Sequence, residues 1–382
     1  MTTVYLIRHA QAEGNYFMRF HGQYNSPVTA LGRRQIGCLE RRFADIHIDA
    51  VYASDLRRTC QTAESIYLPK HLPLHREPGL REINLGEWED VPYGKIVLEQ
   101  KDELVRFKSG NFDWSAPGGE TLRQVTDRVE ATLRRIISEN PGKTIAVFCH
   151  GTAVRNLLTR LLHRPESPEG YLPEGNNTAV AYLEAEGDDI QVKWYNDSTH
   201  LTPDALPAAP KADGEGKSGE TDDDSLFWFR PWDPATEQQR YLDYRQEGWL
   251  SSHGTMDHFD GPAFLQAALA HSAFDAQAVQ VVMCGREPAG ILELDYQRGT
   301  EEGVGAIAFY YVDPNHRKKG NGAQLLGQAV SVYRAMGRKT LRLRCAPEND
   351  TAYRFYQRQG FRKIGMATDS PVPLYLMERP IY

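Results

Sequence analysis

The sequence predicts an α/β fold, with a mainly parallel sheet covered by helices on both faces in its first part. Three observations predict it. Residues 3–9 (TVYLIRH), 50–54 (AVYAS) and 144–150 (TIAVFCH) are short, nearly unbroken apolar runs, the pattern of strands buried on both faces. Residues 31–43, 59–67 and 120–140 lie between these runs and carry helical spacing. Strand and helix in alternation build a sheet whose ligands bind beyond the carboxyl ends of its strands.

A chain of 382 residues suffices for two domains, and its composition divides it. Residues 201–224 (LTPDALPAAPKADGEGKSGETDDD) offer almost nothing to bury, so no burial offsets the entropy of ordering them. They read as a flexible linker between a domain at 1–200 and a second at 225–382. No internal repeat relates the two, so their folds differ. The net charge of -7 argues against a general nucleic-acid binder, which would carry a basic face. The five cysteines are odd in number and contain no Cys-x-x-Cys pair, so they read as reduced thiols without a zinc site. Arg8 and His9 interrupt the early apolar run, so no signal peptide is expected. No apolar stretch approaches the roughly 20 residues that span a bilayer. The expectation is a cytoplasmic protein that uses no metal and binds neither nucleic acid nor membrane.

Each strand of the first half delivers a basic group to its carboxyl end. The first ends in Arg8 and His9. The second leads through Ser54 and Leu56 to Arg58 at the start of a helix. The third ends in His150, before Gly151 and another helix. Strands of one parallel sheet point the same way, so two guanidiniums, two imidazoles and a helix N-terminus can converge on a dianion. Each signal is weak alone, since an Arg-His pair after a strand is more often structural. The joint pattern is specific.

These residues sit in motifs that resemble the histidine phosphatase, or phosphoglycerate mutase-like, superfamily over most of residues 1–200. The matching stretches, in order, are LIRHAQAEGN, SDLRRTCQTAE, LREINLGEWE, CHGTAVRNLL and NDSTHL. The resemblance implies that His9 attacks phosphorus and carries the phosphoryl group. It implies that Arg8, Arg58, Asn15 and His150 hold phosphate oxygens and that Glu82 protonates the departing alcohol. The substrate would be a small phosphomonoester. Flanking arginine charges would keep His9 a neutral nucleophile. Ala10 stands where that family usually has Gly, and Asn25 where an acidic residue is frequent. Both are expected near the path of the substrate's organic part. The span from Trp88 to Glu120 is modest for a lid, and APGGET resembles the phosphatase branch, so hydrolysis is expected ahead of mutase transfer.

In the second half, residues 305–312 (GAIAFYYV) read as a strand, 313–322 as a basic glycine loop (DPNHRKKGNG), and a helix follows from Ala323. Gly320 and Gly322 let backbone approach a ligand, and the helix N–H groups with Arg317, Lys318 and Lys319 suit an anion. A dinucleotide fingerprint would need Gly where Leu325 stands, and a Walker loop would need Gly-Lys-Ser/Thr. An exposed basic turn fits the loop alone equally well. Downstream, Asn349 and Asp350 cap a helix on which Ala352, Phe355, Tyr356 and Gln359 share one side, and Gly360 ends it.

With RKKGNG and NDTAYRFYQRQGF in place, residues 225–382 resemble the GNAT superfamily of acyl-CoA N-acyltransferases, a mixed α/β fold. The resemblance implies that acetyl-CoA is held by backbone around Val312 and from Lys318 to Ala323 (Lys318, Lys319, Gly320, Asn321, Gly322), with Arg317 beside it and Asn349 in contact. Tyr356 would protonate the departing thiolate. The acceptor would be an amine of a small molecule, in a pocket shaped by residues 227–259. Family members often place a basic Glu on the strand before the loop, and GAIAFYYV has none, which leaves Glu293, Asp295 or water. The expected protein is bifunctional. The alternative is a phosphatase or mutase that carries a non-catalytic acetyl-CoA-binding sensor or interaction domain.

Overall fold

The computed structural model describes residues 1–206 and 225–381. The chain forms two compact units, each taken by itself below.

In the first, the apolar runs become β1 (Thr2–Arg8), β2 (Ala50–Ala53) and β4 (Thr144–Cys149), joined by β3 (Leu74–Arg76), β5 (Val180–Glu186) and β6 (Asp189–Asp197) in the order β3-β2-β4-β1-β5-β6. The first four strands are parallel, while β5 and β6 run antiparallel and extend the edge. The relevant helices are α1 (Glu13–Phe17), α2 (Ala30–Phe43), α3 (Arg57–Tyr67), α4 (Leu122–Ser138) and α5 (Gly151–Leu161). Leu39 and Phe43 of α2 and Ala63 and Ile66 of α3 pack on Ile7, Val51, Ala53, Ala146 and Phe148. The alternate residues Val4, Leu6, Ile145 and Val147 are also buried, so both faces of the sheet are covered. Arg8, Arg58 and His150 then fall at one strand edge because β1, β2 and β4 are parallel neighbours.

A turn at Pro203–Ala205 docks on α2, where the Gln35 amide donates to the Ala205 carbonyl at 3.1 Å. The linker expected over 201–224 lies outside the described residues from position 207 onward.

The second unit is a sheet ordered β12-β13-β11-β10-β9-β8-β7. Its strands are β7 (Phe227–Pro231), β8 (Val279–Cys284), β9 (Glu287–Asp295), β10 (Val304–Val312), β11 (Thr340–Cys345), β12 (Arg362–Met366) and β13 (Tyr375–Pro380). Helices α6 (Gln238–His253) and α7 (Gly261–Phe274) cover one face through Tyr241 and Ala268, packed with Val279, Val281 and Ile291. On the other face Leu325 of α8 (Gly322–Ala335) packs with Phe227, Val282 and Ala289. The helix α9 (Asp350–Arg358) follows β11. Only β10 and β11 pair in parallel, from Val304–Ala306 to Thr340–Arg342, and then they part. The register of β10 on β9 shifts between Ile307 and Phe309. Such a bulge bends the strand and sharpens its twist. The two strands therefore splay, and the backbone of β10 beyond the bulge has no β11 partner.

Candidate active sites

His9 is buried at the end of β1, and its Nδ1 lies 2.7 Å from the carbonyl of Ala10. A carbonyl only accepts, so Nδ1 carries the proton and Nε2 holds the free lone pair. Burial pushes the His9 pKa well below its ordinary value, and the charges of Arg58 and Arg8 push it further. The imidazole is therefore neutral. Ala10 is fully buried, and its N–H donates to Thr62 Oγ1 at 2.9 Å. The Ala10 carbonyl thus fixes the orientation of the His9 ring.

The ring of His150 stands 5.3 Å from that of His9, centroid to centroid. His150 is 0% exposed, and neither ring nitrogen has a hydrogen-bond partner among the described residues. Burial also lowers its pKa well below the usual value. A buried imidazole with both nitrogens unsatisfied is costly unless a ligand completes it. Arg58 is buried beside the pair, and its fork donates to the carbonyls of Tyr24 (2.9 Å) and Gly22 (2.6 Å). Burial lowers its pKa to about 10.

Glu82 occupies the N-terminus of α5. Its Oε1 accepts from Ala153 N–H and Ile83 N–H, and its Oε2 from Thr152 N–H, each at 3.0 Å. Burial raises its pKa, and these backbone donors oppose the rise without cancelling it. Asn15 is exposed and serves α1, its Oδ1 accepting from Ala12 N–H at 3.1 Å. Asn25 is also exposed and accepts from Arg57 N–H at 2.7 Å.

The sequence reading missed the segment 172–178. Arg8 donates from one terminal nitrogen to the Gly175 carbonyl and pairs from the other with Glu174 at 2.7 Å. The Asn177 side chain (3.0 Å) and Thr178 N–H (3.3 Å) both donate to the His9 carbonyl. The one signal available was the polar run EGNNT before β5, which has no periodicity to place it.

In the second unit the glycine loop reaches α8 as expected. Lys318 (φ 63°) and Gly320 (φ 84°) take left-handed backbone, and Asn321 makes no side-chain cap. The N–H end of α8 therefore has no side-chain cap, while Ala323 N–H donates to the Gly320 carbonyl at 3.2 Å and Gln324 N–H to the Asn321 carbonyl at 3.0 Å. Asn321 is buried, with its amide 3.4 Å from the His316 carbonyl. Gly322 and Ala323 begin the helix, and the Tyr310 hydroxyl donates to the Gly322 carbonyl. Arg317 is engaged elsewhere. Its Nε donates to the Val312 carbonyl at 2.7 Å, and its fork pairs with Glu247 at 2.6 Å. Lys319 stands on the exposed loop.

Asn349 caps α9 by accepting from Ala352 N–H at 3.0 Å, and its amide donates to Ser252 at 3.2 Å. Tyr356 is buried 6.0 Å from the Tyr310 ring, and burial raises its pKa. Glu293 is 0% exposed and accepts from Tyr241 (2.8 Å), Arg245 (2.6 Å) and His271 (2.8 Å). Asp295 holds Arg298 at 3.2 Å and lies 3.6 Å from His271. Both carboxylates are therefore committed to ion pairs. The parting strands and the left-handed glycine loop leave backbone that suits an extended ligand ending in an anion.

Residues 4–198 match the histidine phosphatase superfamily (branch 1), and residues 228–361 match the acetyltransferase (GNAT) family. A probable phosphoglycerate mutase GpmB of Proteus mirabilis is 31% identical over 169 residues, 44% of this chain and 79% of that protein. A protein of the same name from Salmonella choleraesuis is 30% identical over 210 residues, 54% of this chain and 98% of its own length. The solved structure of Bacillus stearothermophilus YhfR superposes with a TM-score of 0.50 at 26% identity, covering 52% of this chain and 99% of that one. The chain belongs to the histidine phosphatase superfamily through its first half, and it carries a GNAT acetyltransferase domain in its second.

Proposed function

We propose that the first unit hydrolyses a small phosphomonoester through a phosphohistidine. The observation that carries this reading is the buried His9–His150 pair, with Nδ1 of one ring held by a carbonyl and the other ring without a hydrogen-bond partner among the described residues. Nε2 of His9 attacks phosphorus in line, the bond to the ester oxygen breaks, and the Glu82 carboxyl gives its proton to that oxygen. Water then attacks the phosphohistidine, Glu82 takes back a proton, and inorganic phosphate leaves with the Nε2–P bond broken. Arg8, Arg58 and His150 stabilise charge on the three peripheral oxygens. Burial raises the Glu82 pKa, the direction that favours the acid step.

His9→Ala should abolish turnover of p-nitrophenyl phosphate and the acid-labile phosphoenzyme trapped by rapid quench. Undiminished turnover would reject the reading. The names of the curated relatives favour transfer between hydroxyls over hydrolysis. Release of inorganic phosphate against appearance of an isomeric phosphomonoester decides between the two.

For the second unit the reading is acetyl transfer to an amine. Acetyl-CoA, when bound, supplies an activated acetyl thioester. The loop backbone at Gly320, Asn321 and Gly322, where it enters α8, would hold its pyrophosphate, and the β10 backbone up to Val312 its pantetheine arm. The hydroxyl of Tyr356 gives a proton to the departing sulfur, and a raised pKa keeps that proton in place beforehand. Tyr356→Phe should lower kcat about 10²-fold, within the range of general acid catalysis, with CoA affinity kept. An unchanged kcat at saturating acetyl-CoA would remove Tyr356 from this role. A second reading, of a CoA-binding sensor, is favoured by the commitment of Glu293 and Asp295 to ion pairs. Tight acetyl-CoA binding without turnover over a broad amine panel would select it.

A further inference from the structure

We infer that Glu174 is a positioning residue that orients Arg8 for the phosphoryl group. The inference rests on the phosphatase reading of the first site.

Arginine has five N–H donors in a fixed fork. In Arg8 one terminal nitrogen donates to the Gly175 carbonyl, and the other pairs with Glu174 at 2.7 Å. Nε is buried and has no partner among the described residues. The side chain is thus fixed from one side while a buried donor is left for a ligand. The fork also lies against Gly151, where an added Cβ would come within 3.0 Å of the guanidinium carbon. Arg8 therefore sits at the start of α5, beside His150.

The alternative is that Glu174 is a plug, a carboxylate standing where phosphate would bind and swinging out when it arrives. The backbone around it argues otherwise. Asn196 donates to the Pro173 carbonyl at 3.2 Å on one side of Glu174. On the other side, Gly175 lies against the same Asn196 side chain, where a Cβ would meet Oδ1 at 2.3 Å. Arg155 donates to the Leu172 carbonyl and lies over the Tyr171 ring at 3.5 Å. Asn176 donates to Ser198 at 3.0 Å, and Asn177 and Thr178 hold the His9 carbonyl. A segment pinned on both sides of Glu174 serves as a holder for the Arg8–His9 pair. The Glu174 side chain is 60% exposed, so its replacement leaves the fold intact.

The test uses the full-length protein, with p-nitrophenyl phosphate as substrate and inorganic phosphate as competing ligand. Glu174→Ala should raise KM and the phosphate inhibition constant about tenfold with kcat within about twofold, the effect of losing one charge-assisted hydrogen bond. Glu174→Gln keeps an acceptor oxygen and should return both constants to within about threefold of the parent. In an Arg8→Lys background, which lacks the fork, Glu174→Ala should add no further loss. Tighter phosphate binding in both Glu174 variants would establish a plug and overturn the inference. Unchanged constants, or a full additional loss in the Arg8→Lys background, would overturn it as well. Calorimetric phosphate affinity reads the Arg8 fork without turnover. Failure of hydrolysis by the parent protein is thereby distinguished from failure of this inference.

Discussion

Glu82 holds two positions at once. Its carboxylate accepts three backbone N–H groups, two of them from the first turn of α5, a stabilising arrangement at a helix N-terminus. Burial nevertheless raises its pKa, which suits a proton donor. The two roles separate by leaving group. With an alkyl phosphomonoester, Glu82→Gln should lower kcat about 10²–10⁴-fold, because the alkoxide cannot leave unprotonated. With p-nitrophenyl phosphate the loss should be much smaller, because that oxygen leaves unaided. The pH dependence has a definite sign. Phosphorylation needs Glu82 protonated and His9 neutral. kcat/KM should fall as pH rises through the raised Glu82 pKa, and fall again as pH drops through the lowered His9 pKa. Glu82→Gln should remove the alkaline limb alone. Equal losses on both substrates would show that Glu82 only caps the helix.

At the scale of elements, the parallel strands were legible and the loops that finish the site were not. Arg8, His9, Arg58 and His150 could be placed from sequence because each lies at, or one turn beyond, the end of a buried apolar run. Parallel pairing of β1, β2 and β4 then brings them to one edge. Glu174 could not be placed, since the contact of its neighbour Gly175 with Arg8 spans 167 positions and no periodic pattern encodes it. Glu293 and Asp295 read as free candidate bases for the same reason, because their partners Arg245 and His271 come from α6 and α7. Asp295 and Glu293 hold the His271 pKa up to about 9, and Arg245 and Tyr241 complete the cluster around Glu293. The His271 pKa lies above its ordinary 6.5 in the folded state, so its stabilisation is full below pH 6.5 and is lost as pH rises toward 9. The loss is on the order of 3 kcal/mol before solvent screening lowers it. Urea unfolding of the second unit should show it between these pH values, and His271→Gln should flatten the dependence. A stability that is flat in the parent protein would mean that α7 is not held to β9 by this charge.

For the whole molecule, the decisive point is that each unit has its own apolar core and its own proposed anion site. The first centres on Phe43, Val51 and Phe148, the second on Tyr241, Val279 and Ile291. Orthovanadate, which takes the geometry of a transferring phosphoryl group, should bind at His9. CoA should bind at the start of α8. A ligand at 100 times its dissociation constant stabilises the state it binds by about 2.7 kcal/mol. For units of this size that is a rise in Tm of roughly 5–10 °C. Calorimetry of the intact protein should therefore resolve two transitions, with vanadate raising one and CoA the other. His9→Ala should abolish the vanadate shift and keep the CoA shift. Gly320→Val should do the reverse, because φ of 84° is strained for a β-branched residue and the loop would lose the shape that meets the pyrophosphate. A single transition raised by either ligand would show that the two units unfold as one cooperative body. The separate readings of the sites would then have to be replaced by a coupled one.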